Sequence, residues 1–296
     1  MKTARPKKTR GIPPVIICGM HRSGTSLVAR ILEAAGLFIG KRKDRNSEAL
    51  FFSRINDWIL RRCGGSWDFP GPVRWLWRSE ELRALVLDML DGWLKHPLAI
   101  QYLGLGAWVR YGDVRALERP WGWKDPRSTL LLPLWTEVFP DAKVVYVERH
   151  GVDVARSLFV RAHREVQIQR RRYARAGWLY LLYQRYRSRG FSGSARCLDL
   201  EGGFELWEEY VLAAGRHAEA LSGRFFSVPY EKFVQDPEAW LRDLCAFCGL
   251  EPGQKQIETC RRLVDGGRAH AYRHDEALVQ FALEHDDRLG PYKSKP

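Results

Sequence analysis

Two stretches hold residues whose types and spacing suit the binding of anions. The first is CGMHRSGTSLV, residues 18 to 28, between a short apolar run and an amphipathic one. Six residues from Gly19 to Gly24 form a turn between an expected strand and an expected helix. Glycines in such a turn let backbone N–H groups approach an anion, and the helix start adds its partial positive charge. The nucleotide-loop pattern GxxxxGK[ST] reads here as Gly-Met-His-Arg-Ser-Gly-Thr-Ser. Thr25 stands where the lysine belongs. Arg22 lies inside the loop instead, and Ser23, Thr25 and Ser26 add hydroxyl donors. A bare glycine turn without a ligand is the competing reading. The second stretch is KVVYVERHGVDVARSLFVR, residues 143 to 161. Arg149 comes off a strand end, and Ser157 and Arg161 share a face of the following helix. Two guanidiniums and a hydroxyl make a second anion site. Glu148 would suit a magnesium-dependent nucleotide hydrolase, but the missing loop lysine weakens that reading.

These residues need strands to end beside one another. Strand-like runs lie at Val15–Cys18, Lys143–Val147 and Phe225–Val228, with weaker ones at Leu98–Leu103 and near Trp121–Trp123. Helical patterns lie between them. Gly24–Ala35 stops at Gly36, Ser79–Leu94 opens on acids, and Arg127–Phe139 ends at Pro140. Gly203–Leu221 follows a glycine pair. Asp236 caps Glu238–Cys248, with Pro237 in its first turn and Gly249 at its close. The alternation predicts an α/β fold, a three-layer sandwich with a central, mostly parallel sheet and a phosphate loop. Ligands of such sheets bind outside the carboxyl ends of the strands, here after Cys18, Trp123, Val147 and Val228.

Composition narrows the partners. The chain has 296 residues and a net charge of +13, which favours anionic ligands. Residues 161 to 189 hold nine arginines and one acid; they form either a solvated helix face or a basic wall for an acidic substrate or an anionic membrane surface. The opening MKTARPKKTRGIPPVIIC imitates a secretory signal, but its apolar part is short, holds two prolines and runs into the glycine loop. Residues 1 to 12 are read as a loose basic tail, and 13 to 296 as a single domain. No apolar run is long enough to span a membrane. Six cysteines in a chain of this length do not suggest a disulfide framework, so a cytoplasmic setting is expected, with peripheral membrane contact as a variant. Cys245 and Cys248 form a CxxC inside an apolar helical pattern and read as core thiols.

The order of these motifs resembles the sulfotransferase family, whose members use 3′-phosphoadenylyl sulfate (PAPS) as sulfuryl donor. The resemblance rests on a strand followed by RSGTS and a helix, then a strand followed by Arg149 and a serine eight residues on. FSVPYEKFVQDPEAWLRDLCAFCGL and WGWKDPRSTLLLPLW resemble two further family segments, and the matches run from about residue 13 to 250. The arginine in the loop fits the bacterial and Golgi-type branches. The resemblance implies a nucleoside-triphosphate-hydrolase-like fold in its sulfotransferase variant. It implies that Arg22, Ser23, Gly24, Thr25 and Ser26 cradle the phosphosulfate. Arg149, Ser157 and Arg161 would hold the 3′-phosphate, and Tyr230 would lie near the adenine. The family's late basic segment is not evident; GGR at 266 to 268 and YKSK at 292 to 295 are the alternatives.

Sulfuryl transfer resembles phosphoryl transfer, in which position and charge do most of the work. Arg22 and Lys124, the latter in WKDPR at an expected strand end, are the candidate cations for the leaving group; a surface ion pair with Asp125 is the alternative for Lys124. In the arginine-loop branches the base is often a Glu shortly after the loop helix. That points to Glu48, with Asp44 and Asp57 nearby and His21 as runner-up. No metal site is evident, and the family implies none. Eight of the twelve tryptophans fall between Trp58 and Trp123. Most are expected in the core, but aromatic faces also suit sugars and lipids, so a glycan or lipid is the candidate acceptor. Two other classes compete: a P-loop kinase or nucleotide hydrolase, and a basic nucleic-acid-binding module. The second explains the charge but not two anion sites at strand ends, so no nucleic acid is expected as partner.

Overall fold

A computed structural model describes residues 11–186, 194–221, 223–264 and 266–290. Residues 1–10 of the basic tail, 187–189 of the arginine-rich stretch and the YKSK segment lie outside the described residues. The chain divides into two compact units, Met1–Arg149 with Tyr210–Ala269, and His150–Glu209 with His270–Pro296.

The first unit holds the sheet. Strands β1 (Val15–Gly19), β2 (Gly122–Lys124), β3 (Lys143–Glu148) and β4 (Phe225–Pro229) lie in the order β2-β1-β3-β4, all parallel. Alternate residues face opposite layers. Val15, Ile17, Val145 and Val147 share one core with Leu27, Val28, Ile31 and Leu32 of helix α1 (Thr25–Ala34). Leu241, Leu244, Cys245 and Cys248, from the helix Pro237–Cys248, complete it. The CxxC is therefore two core thiols. Trp123 pairs in register with Ile16, on the opposite face. Phe52, from helix α2 (Leu50–Arg62), stacks on Trp123 at 4.1 Å, and Trp135 meets that pair edge-on.

The main strands and helices fall where the sequence places them, within a few residues. The run Leu98–Leu103 is a correction. It is helical, with a 3-10 turn over Pro97–Ala99 leading into Ile100–Leu103. His96 caps the turn through its side chain, Pro97 sits in the first turn, and the buried Ala99, Tyr102 and Leu103 follow helical rather than alternating spacing.

Gly122 is fixed by sheet packing. A Cβ there would run into the carbonyl of Val15 on β1. Gly122→Ala is expected to cost about 3 kcal/mol, because backbone cannot step aside as a side chain can. The midpoint of urea unfolding reads this loss. Gly106→Ala, inside the helix Leu105–Tyr111 where a Cβ would meet nothing within 4 Å, should not lower the midpoint and should raise it slightly.

The second unit is helical among its described residues. Its 26-residue helix Gly151–Ala176 starts tightly against Phe204 and Trp207, where a Cβ on Gly151 would come within 2.8 Å of either ring. Asp153 accepts the backbone N–H groups of Ala271 and Tyr272. Arg288 joins Glu201 and Glu208.

Candidate active site at the strand ends

The strand order reverses between β1 and β3. From β1 the chain's next strand lies on one side, and from β3 the next lies on the other. At such a switch point the connecting loops part and leave a crevice at the carboxyl ends. The Gly19–Gly24 turn follows β1, and Arg149 follows β3.

The turn has an ordered backbone. The Gly19 N–H donates to Thr129 Oγ1 at 2.9 Å, and the buried Ser23 hydroxyl donates to the Met20 carbonyl at 2.7 Å. Arg22 has φ 73° and Gly24 has φ 102°, both in the left-handed region. For arginine that conformation is uncommon, and the turn enforces it. Gly24 is the N-cap of α1 and has no side chain to satisfy the first-turn N–H groups, which leaves an anion-receptive helix start. Thr25 is buried, and the Ser26 hydroxyl donates to the Asn46 carbonyl at 2.9 Å. Asp44 Oδ1 accepts the N–H groups of Asn46 and Glu48, both at 2.8 Å. One chain of contacts thus ties the helix start to Glu48, with Asp44 as a loop-building residue.

Arg149 is also tied to the turn. Its guanidinium donates to the Arg22 carbonyl at 3.2 Å and to the Arg268 carbonyl. Its Cζ lies 4.7 Å from the centre of the Tyr230 ring. Tyr230 is buried and closes directly over Gly24, where any Cβ would strike its ring. Gly24, Tyr230, Arg149 and the turn Gly266–Arg268 therefore form one assembly. Of the two candidate late basic segments, GGR meets Arg149 through the Arg268 carbonyl, and YKSK lies outside the described residues.

Glu48 and Lys124 meet in a buried pair. Lys124, at the end of β2 and 1% exposed, donates to Glu48 Oε1 at 3.1 Å. Lys124 is thus paired with Glu48 in the interior rather than with Asp125 at the surface. Arg127 donates to Glu48 Oε2 at 3.1 Å and to Asp125 Oδ1 at 2.9 Å. Asp125 is fully buried, and its other oxygen accepts from Asn56 Nδ2 at 2.8 Å. Asn56 also accepts from Trp135 Nε1 at 2.8 Å. Burial raises the Glu48 carboxyl above the ordinary glutamate value, and the Asp125 charge adds to this. Lys124 and Arg127 pull it back only in part. Burial works against the Arg127 charge, but Asp125 and Glu48 outweigh it and lift its pKa. Asp57 stands 3.9 Å from Arg127 and pairs with Arg61.

Asn56 is the joint between this network and the aromatic core. Asn56→Ala is expected to destabilise the protein by about 3 kcal/mol, since a buried carboxylate and an indole N–H each lose a partner. Thermal unfolding checks it. A change below about 1 kcal/mol would mean that water replaces the amide at both groups.

The remaining candidates fall as follows. The His21 ring lies edge-on to Trp67 at 4.7 Å and to Tyr210 at 6.2 Å, the setting of a loop-packing residue. Ser157 and Arg161 sit one turn apart on the helix Gly151–Ala176, both half-buried. Trp121, Trp123 and Trp135 are core, whereas Trp75 and Trp77 are exposed. A groove of about 510 Å³ beside Phe38, Leu103 and Arg119 lies elsewhere. Phe38 bridges to Trp121, just before β2, so the groove is at the amino end of that strand. Among the described residues no group of three or more His, Cys, Asp and Glu is placed to hold a metal ion.

Sequence reasoning gave no site role to Arg127, Asn56 or Thr129, and weighed Asp125 only as a surface partner of Lys124. Three of the four lie in WKDPRST, where Pro126 and the helix start at Ser128 crowd charges onto a strand end. That crowding is a readable signal. Asn56 carries none, because it sits inside an ordinary helical pattern.

The sulfotransferase family model matches residues 13–253. No curated protein matches the chain. Among solved structures, the sulfotransferase domain from the Synechococcus olefin synthase is 19% identical over 96% of this chain and 98% of its own, with a TM-score of 0.49. A sulfotransferase from Mycobacterium tuberculosis is 17% identical over 88% of this chain and 74% of its own, at 0.43. The sulfotransferase domain from the curacin biosynthetic pathway is 18% identical over 88% and 80%, at 0.46. The family match covers most of the chain, and with it the loop after β1, Glu48, Lys124, Arg149 and Tyr230: this chain belongs to the sulfotransferase family of enzymes.

Proposed function

We propose that this enzyme transfers a sulfuryl group from PAPS to the hydroxyl of a glycan or lipid acceptor, without a metal. The observation that carries the reading is the bond from Arg149 to the Arg22 carbonyl, which joins two anion-receptive strand ends. The donor, when bound, supplies an activated sulfuryl group on a phosphate leaving group. Arg22, Ser23, Gly24, Thr25 and Ser26 hold its phosphosulfate. Arg149, with Ser157 and Arg161, holds the 3′-phosphate, and the turn Gly266–Arg268 is the candidate late segment. Tyr230 positions the turn through its ring contact with Gly24 and neighbours the adenine.

Glu48 takes the proton of the attacking hydroxyl as the new O–S bond forms and the bond from sulfur to the 5′-phosphate oxygen breaks, releasing adenosine 3′,5′-bisphosphate. Its raised carboxyl makes it a stronger base than an ordinary glutamate. Lys124 and Arg22 supply positive charge to the leaving oxygen. Lys124 also holds Glu48 in place, so proton acceptance and charge stabilisation sit on one ion pair. Residues 13–296 act as a single sulfotransferase domain behind a basic tail, in the cytoplasm. No helix among the described residues is long and apolar enough to cross a membrane.

Calorimetry with adenosine 3′,5′-bisphosphate in EDTA, with ATP as comparator, tests the reading. Tight bisphosphate binding and weak ATP binding are expected. No bisphosphate binding would overturn the donor assignment.

A further inference from the structure

The far end of the helix Gly151–Ala176 and the helix that follows carry a surface the donor site does not use. Residues 170–176 are exposed on every side of the helix. Gly177, at φ 52°, turns the chain into the helix Trp178–Tyr186. Tyr180 folds back, its hydroxyl donating to Gln169 and its ring 6.1 Å from Tyr173. Its neighbours do not fold back. Trp178 is 69% exposed, Leu179 55%, Leu181 54% and Leu182 44%. Four large apolar side chains in five residues, all facing water, form a patch that calls for an occupant. Arg170, Arg171, Arg172 and Arg175 stand exposed just before the turn, and residues 166 to 182 contain no acid.

We infer that this helical hairpin docks the enzyme on an anionic lipid bilayer. Trp178 and the leucines would enter the boundary between headgroups and acyl chains, and the arginines would meet the headgroup phosphates. Charge selects this occupant. A two-fold pairing of the patch with a second copy would set the arginines against one another. Nucleic acid would suit the arginines but leave three leucines without a stacking partner. The inference stands apart from the donor reading, so the two fail separately.

The test uses the full chain and large unilamellar vesicles of phosphatidylcholine, with and without phosphatidylglycerol, read by co-sedimentation. Binding should require phosphatidylglycerol and weaken with added salt. Leu181→Glu with Leu182→Glu should lower the partition coefficient about tenfold. Arg170→Ser, Arg171→Ser, Arg172→Ser and Arg175→Ser together should lower it roughly a hundredfold. Neither set should change bisphosphate affinity or thermal unfolding. Failure of the unaltered chain to bind anionic vesicles would overturn the inference. So would vesicle binding that both variants retain, or a leucine variant that only converts a dimer to a monomer.

Discussion

Glu48→Gln is expected to lower kcat by about 10²–10⁴-fold while bisphosphate affinity stays within about twofold. The substitution keeps the shape of the side chain and removes its basicity. Both carboxylate oxygens are engaged, one by Lys124 and one by Arg127, each at 3.1 Å. An amide can accept from one of these cations, but its NH₂ group would face the other. Some stability is therefore lost as well, because a buried cation loses its counter-charge. Turnover is best measured well below the melting temperature, and bisphosphate affinity reports whether the loop after β1 survives. Near-normal turnover with intact binding would retire Glu48 as the base and leave the ion pair a structural feature.

The same network sets a pH dependence. Burial and the Asp125 charge raise the Glu48 carboxyl, against Lys124 and Arg127. A base works only when deprotonated, so kcat should fall as pH drops through this raised value, above the ordinary glutamate range. Lys124→Gln removes a cation that lowers it and should move the acid limb of the kcat profile to higher pH. Asp125→Asn removes a charge that raises it and should move the limb the other way. Opposite shifts would tie the limb to Glu48 rather than to an acceptor group. The stability consequence has its own sign. A carboxyl whose folded value is raised binds its proton more tightly in the folded state. Its contribution to stability therefore declines as pH rises through the window between unfolded and folded values.

The strand ends were legible from sequence because local signals converge there. Val15–Cys18 is apolar without interruption, a glycine turn follows, and α1 opens with helical spacing. Arg149 follows a second apolar run in the same way. What local pattern does not encode is which distant groups meet. Glu48 and Lys124 are 76 residues apart, and Asn56 and Asp125 are 69 apart. Their pairing is set by the packing of α2 against Trp123, a matter of ring stacking rather than of period. Leu98–Leu103 was misread for a related reason. A short apolar run fits strand or helix, and the discriminating signal was the cap and proline just before it. Tyr230 was expected at the ligand. The structure also sets its ring against Gly24, closer than any Cβ would allow, a contact that local pattern does not encode.

Arg149→Ala should abolish most of the preference for adenosine 3′,5′-bisphosphate over adenosine 5′-phosphate. Arg149 makes two kinds of contact. Its bonds to the Arg22 and Arg268 carbonyls, and its place over Tyr230, hold the turn together. The second is the proposed one, in which its charge, at the end of β3 beside the loop after β1, pairs with the 3′-phosphate. A charge-assisted hydrogen bond contributes about 1.5–3 kcal/mol, or roughly 10- to 150-fold in affinity. The two roles separate by comparing ligands. If Arg149 holds the 3′-phosphate, the bisphosphate loses that factor and the 5′-monophosphate loses little. If Arg149 only braces the turn, both ligands weaken together. Arg149→Lys refines the comparison, because lysine keeps the charge but cannot span two carbonyls and a phosphate with one planar fork. It should retain part of the preference for the bisphosphate while lowering thermal stability about as much as alanine does. Equal loss of both ligands in both variants would remove Arg149 from the 3′-phosphate site, leaving Ser157 and Arg161 as its candidates.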